Sequence, residues 1–148
     1  AHRLQRAVAA GALAVAQATD CDQSGSLKGF GNTASGDYSN AFGRLNQATG
    51  TYASAFGYDN VATGANGNAF GHGNTASGDR ASAFGNESVA AGQYSLALGY
   101  GANAAAADTF AAGRNARALA AYGVALGINS EVTADAADSV AIGSGSVA

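Results

Sequence analysis

A dipeptide ending in glycine returns every 14 residues along most of this chain. It reads Phe42-Gly43, Phe56-Gly57, Phe70-Gly71, Phe84-Gly85, Leu98-Gly99, Ala112-Gly113 and Leu126-Gly127. Phe30-Gly31 stands 12 residues ahead of Phe42, and Ile142-Gly143 follows Leu126 by 16. A fixed short period means that each unit buries its apolar face only by stacking on the next, which specifies a solenoid. Composition agrees. Alanine supplies most of the 47% hydrophobic residues in this 148-residue chain, and too few large apolar residues remain for a thick single core.

Counting positions from Phe42, position 2 is glycine throughout the run, and position 7 is Ala48, Ala62, Ala76, Ala90, Ala104, Ala118 and then Val132. Position 9 is Gly50, Gly64, Gly78 and Gly92, then Ala106, Ala120 and Ala134; position 14 is alanine in every coil. Fourteen residues leave room for two strands of about five residues and two tight bends, each bend using a glycine position. Side chains one apart on a strand point to opposite faces. Positions 12 and 14 are small, whereas positions 13 and 1 on the other face become large in later units. A narrow lumen admits Ala, Ser and Thr but not Phe. Phe42, Phe56, Phe70, Phe84, Leu98, Leu126, Val140 and Ile142 therefore face outward as a ladder and form the expected self-association interface. One stripe that must satisfy every subunit calls for cyclic symmetry. A trimer would bury it around one axis, although the residues alone do not dictate trimer over dimer.

Departures from the period have a reading too. The unit from Phe30 to Ala41 reads as two residues short between Gly31 and Asn32, and the unit from Leu126 to Ala141 as two residues long near Ala136-Ala137. Residues 1–29 admit three readings: a degenerate coil, an Ala-rich helical cap, or a leftover signal-peptide core. In the first two they would cover the open edge of the repeats at 30–148. The chain stops in mid-coil, as a fragment would.

The units Ser139-Val140-Ala141-Ile142-Gly143, Ser95-Leu96-Ala97-Leu98-Gly99 and Ser82-Ala83-Phe84-Gly85 resemble the head repeats of trimeric autotransporter adhesins, the YadA-like heads. The resemblance covers residues 30–148. It implies an all-β, left-handed parallel β-roll in an intimate homotrimer, displayed on the outer membrane of a Gram-negative bacterium. It also implies attachment to host cells or to host extracellular matrix proteins such as collagen, laminin or fibronectin. In such proteins a neck, stalk and β-barrel anchor follow the head. A structural spacer or fibre segment holding another tip domain is the rival expectation.

Tyr52, Tyr94 and Tyr122 share position 11 with Tyr38 and Arg80, and Tyr58 and Tyr100 share position 3. They are expected either to pack between neighbouring coils or subunits, or to form a ligand surface made of Tyr52, Tyr58, Arg80, Tyr94, Tyr100 and Tyr122. Asn46, Asn60 and Asn74 at position 5 read as an amide ladder rather than an ion or ice-ordering array. Thr49, Thr63 and Ser77 at position 8 give way to Ala91, Ala105 and Leu119, which weakens any ice-binding reading. His2 and His72 are isolated, and neither the hexapeptide period nor the Gly-Gly-x-Gly-x-Asp calcium signature is present. Cys21 lies between Asp20 and Asp22, whose charges disfavour a thiolate. No enzyme and no cofactor is expected. A net charge of −3 offers no basic footprint for nucleic acid, and no run of apolar residues is long enough for a membrane-spanning helix.

Overall fold

The computed structural model describes residues 26–148. The readings offered for 1–25, Cys21 and His2 included, lie outside the described residues. The strands in chain order are β1 (Ser26–Phe30), β2 (Thr33–Ala34), β3 (Asn40–Arg44), β4 (Gln47–Ala48), β5 (Ser54–Tyr58) and β6 (Val61–Ala62). Next come β7 (Asn68–His72), β8 (Thr75–Ala76), β9 (Ser82–Asn86), β10 (Val89–Ala90), β11 (Leu96–Tyr100) and β12 (Asn103–Ala104). The last are β13 (Phe110–Ala112), β14 (Arg117–Ala118), β15 (Val124–Leu126), β16 (Glu131–Val132) and β17 (Val140–Ile142). Odd-numbered strands form a nine-stranded parallel sheet and even-numbered strands an eight-stranded one, each in consecutive order. The chain is a β-solenoid of 14-residue coils, as its period requires. At about 4.8 Å per strand spacing, the rod is on the order of 40 Å long.

The lumen is an alanine column. Ala41, Ala55, Ala69, Ala83, Ala97, Ala111 and Ala125 on one sheet, and Ala48, Ala62, Ala76, Ala90, Ala104 and Ala118 on the other, are fully buried. Val132 is the largest buried apolar side chain. The two sheets approach so closely that nothing bigger fits between them, and every phenylalanine faces outward.

Three local expectations change. The second strand of each coil has two residues rather than five, because the following bend consumes the rest. The bends turn at positions 4 and 11, where Leu45, Asp59, Tyr52 and Tyr94 hold φ between 54° and 59°. Position-9 glycines are not bent by φ. A Cβ on Gly50 would sit 2.2 Å from the Gly64 carbonyl oxygen of the next coil, so close stacking selects glycine there.

The first coil is not short. Strands β1 and β3 pair at the full 14-residue offset, with Lys28 against Phe42, Gly29 against Gly43 and Phe30 against Arg44. Gly29 does the work expected of Gly31: its φ is +118°, and a Cβ there would overlap the Gly43 carbonyl. Phe30 thus belongs to position 3, and strand β1 crosses the boundary placed at 29/30. At the other end β15 and β17 do pair at an offset of 16. The two extra residues form an added turn closed by Ala136 N donating to Thr133 O at 3.1 Å. Ala136, not Ala134, consequently packs against the core. Within that turn the Thr133 hydroxyl donates to the Asp135 carboxylate at 2.7 Å and holds its pKa below the ordinary carboxylate value.

Position 5 controls how far the strands run. The Asn60 side-chain amide donates to Phe56 O in its own coil at 3.0 Å and to Gly71 O in the next at 2.8 Å. Its Oδ1 accepts from Asn74 N and Nδ2, both at 3.0 Å. Asn32, Asn46 and Asn74 repeat the pattern, so the ladder expected from the sequence is real and begins one coil earlier. Ser88 extends it by donating to Gly99 O at 2.9 Å. Ala102 offers no donor to the next position-2 carbonyl, Gly113 O. That carbonyl accepts instead from Ala116 N at 3.4 Å, and from there the long strands shrink from five residues to three. The strand shortens one coil after the side-chain donors end.

Replacing Gly57 by alanine should lower the unfolding free energy by about 3 kcal/mol or more, because φ is +122° and the added methyl meets Gly71 O at 2.1 Å. Gly145→Ala, where no atom lies within 4 Å, should cost only about 1 kcal/mol. Urea titration of both variants checks the contrast. Asn60→Ala removes the side-chain donor to Phe56 O and Gly71 O and the acceptor of the Asn74 N–H, and should cost on the order of 1–3 kcal/mol in the same assay.

Candidate functional site

The outer face of the nine-stranded sheet carries the apolar stripe. Phe42, Phe56, Phe70 and Phe84 stack with ring centroids 4.8, 4.9 and 5.3 Å apart, interplanar angles staying at or below 17°. Parallel in-register strands impose that spacing. Stacking covers part of each ring and leaves every one half-exposed.

Next to these rings, position 13 is polar: Asn40, Ser54, Asn68 and Ser82. From β11 onward position 13 turns apolar as well. Position 13 becomes Leu96, Phe110, Val124 and Val140 while position 1 becomes Leu98, Ala112, Leu126 and Ile142. The stripe therefore runs on from β3 to β17 and widens onto position 13 from β11. Leu96, Phe110 and Val124 belong to it and were missing from the residues expected at the interface; their signal is the two-residue offset from position 1. Val140 and Ile142 are 55% and 68% exposed, so water meets much of this stripe in the single chain.

Two bends flank the stripe. On one, position 3 lines up Phe30, Arg44, Tyr58, His72 and Asn86. The Arg44 guanidinium lies 5.9 Å from the Phe30 ring and 5.6 Å from that of Tyr58, and the Tyr58 and His72 rings are 5.1 Å apart. His72 Nδ1 is 3.0 Å from the Asn86 side-chain amide. Tyr100 and Arg114 continue the row.

The other bend carries position 11. Tyr38 and Tyr52 stack at 4.8 Å, and Arg80 lies 5.2 Å from the Tyr94 ring while donating to its hydroxyl at 2.8 Å and to Asp79 at 3.0 Å. Every residue here is left-handed, Tyr122 included at φ 60°. Asn66, Asp108 and Asp138 tolerate that conformation, whereas tyrosine and arginine hold it at a cost of order 1 kcal/mol or more each.

Tyr52, Tyr58, Arg80, Tyr94, Tyr100 and Tyr122, expected together as one ligand surface, thus occupy two separate bends of the protomer. Among the described residues no three His, Cys, Asp or Glu side chains gather into a group that could hold a metal.

The model of the YadA head domain repeat matches residues 48–71, 62–88, 90–116 and 118–146, more than half of the chain. Comparison with curated proteins finds no match. Heads of this family are non-enzymatic and form trimers on the surface of Gram-negative bacteria. The repeat period, the alanine lumen and the matched segments together make this chain a member of the YadA head repeat family, the heads of trimeric autotransporter adhesins.

Proposed function

We propose that this chain is a left-handed rod that trimerises through its apolar stripe and attaches a bacterium to host extracellular matrix or host cells. The observation that carries the first half is the stripe. An unbroken row of aromatic and aliphatic side chains from β3 to β17 exceeds what a monomer ordinarily leaves in water. Burying each side chain fully is worth roughly 1.5–3 kcal/mol. Rotation about an axis parallel to the rod brings the stripes of all copies together and keeps their coils level. Three copies, rather than two, follow the habit of the family. Phe42, Phe56, Phe70, Phe84, Leu98, Leu126, Val140 and Ile142, with Leu96, Phe110 and Val124, line the axis in this reading.

Support for the second half comes from the bends. Their tyrosines offer amphipathic contact area with few torsions to freeze, and several stay at that position despite a strained backbone. Tyr52, Tyr58, Arg80, Tyr94, Tyr100 and Tyr122 are the residues assigned to the ligand, for which collagen, laminin and fibronectin are the host proteins to test. Anchoring to the outer membrane would come from a separate part of such an adhesin. The regularity of the coil also suits a spacer, and a binding experiment separates the two roles.

Phe70→Ser should weaken the trimer while leaving the alanine lumen intact, read as a shift toward monomer in light scattering at micromolar concentration. Unchanged assembly would count against the stripe. Surface plasmon resonance on immobilised collagen, laminin and fibronectin should give a response to at least one, lost largely when the head is monomeric because contacts then act singly. Silence on all three would leave the spacer role.

A further inference from the structure

Resting on the trimer reading above, we infer that the two tyrosine-bearing bends are halves of a single surface, joined only between protomers. The position-3 row of one copy lies against the position-11 row of the next, which builds three identical seams along the rod.

Position 11 ends one bend and position 3 begins the other, so the two rows bracket the stripe formed by positions 13 and 1. Any rotation about an axis parallel to the rod sets the right-hand flank of one copy against the left-hand flank of its neighbour. The contact is heterologous: row 3 meets row 11 and never itself. Rotation without translation also fixes the register. Residues six apart lie on one extended segment, so each position-3 residue stands level with the position-11 residue six before it in the neighbour.

That register is chemically matched. Arg44 meets Tyr38, Tyr58 meets Tyr52, and Tyr100 meets Tyr94. His72 faces Asn66, Asn86 faces Arg80, and Arg114 faces Asp108. No pair opposes like charges. A shift by one coil would place His72 against Arg80 and Asp108 against Tyr100, and would separate Arg114 from its acid.

Arg114 supplies an independent pointer. Arg44 lies over Phe30 and Tyr58, Arg80 engages Asp79 and Tyr94, and Arg117 pairs with Glu131 at 3.3 Å. Among the described arginines, only Arg114 has neither an ion pair nor an aromatic partner in its own chain. Asp108, an exposed carboxylate without an ion pair, sits at the matching height of the opposite flank. Left to a single protomer, both charges are unpaired; the seam pairs them.

Paired cysteines at Tyr52 and Tyr58 test the arrangement, in a Cys21→Ser background. Within one chain these positions lie about 20 Å apart along extended backbone, far beyond the roughly 4.4–6.8 Å that a disulfide spans between Cα atoms. Mild oxidation of the double variant should therefore give a covalent ring that runs as a trimer on a non-reducing denaturing gel. Tyr52→Cys and Tyr58→Cys alone should give no cross-linked species. A double variant that is trimeric by light scattering yet resists cross-linking would overturn the seam, as would efficient cross-linking of either single variant. A monomeric parent protein would remove the trimer itself and the seam with it. A charge exchange gives a second reading free of cysteine. Arg114→Asp and Asp108→Arg should each weaken assembly about tenfold, and together restore it. Arginine already occupies position 11 at Arg80, so the second replacement suits the backbone. Additive losses in the double variant would overturn the pairing.

Discussion

Backbone from successive coils and the two facing sheets approach so closely that the interior holds little beyond alanine, serine and a column of asparagines, and has no room for an aromatic ring. At position 2 a methyl would collide with the carbonyl of the next coil, and the lumen between the sheets is filled by alanine. Large side chains have only the outside left to them. The usual arrangement of a soluble domain is thereby inverted, since the bulky apolar groups that would make a core stand on the surface of the coil. The fold of one protomer and the exposed stripe proposed to pack against sister protomers come from the same steric limit.

Stacking identical positions at strand spacing makes each column a single extended interaction. Phenylalanines stack on phenylalanines, Tyr38 stacks on Tyr52, and the Arg44 guanidinium lies between the Phe30 and Tyr58 rings. The asparagine column shows how a column governs its neighbours. While side-chain donors reach forward to the position-2 carbonyl of the next coil, strands run for five residues; beyond Ala102 that carbonyl bonds within its own coil and the strand stops at three. Substitution in one coil is thus felt in the following one, as a nearest-neighbour solenoid requires.

Such a rod suits attachment. A regular array of exposed tyrosine and arginine presents similar side chains at several heights, and in the proposed trimer symmetry would multiply them around the axis. Contacts that are individually weak become avid through number. The left-handed turns of position 11 hold tyrosines where asparagine would be easier, which fits the ligand role proposed above.

Period, alanine lumen, outward phenylalanines and the amide ladder were all legible in the residues, because each is a consequence of strict repetition with a fixed side-chain alternation. Repetition also misled. Phe30-Gly31 looked like another Phe42-Gly43, yet the backbone needed a glycine beneath Gly43 and found it in Gly29, moving Phe30 into the row of Arg44. Alternation already placed positions 13 and 1 on one face, yet Leu96, Phe110 and Val124 were left out of the expected interface because only position 1 was followed along the chain as far as Leu126. By itself, then, the sequence determined the coil and which residues could not enter it, since both follow from volume and periodicity along one chain. The tertiary structure decided which residues stand level across coils, how far each strand extends and which bend holds each tyrosine, because these depend on hydrogen bonds between residues 11 to 16 apart that no local pattern encodes.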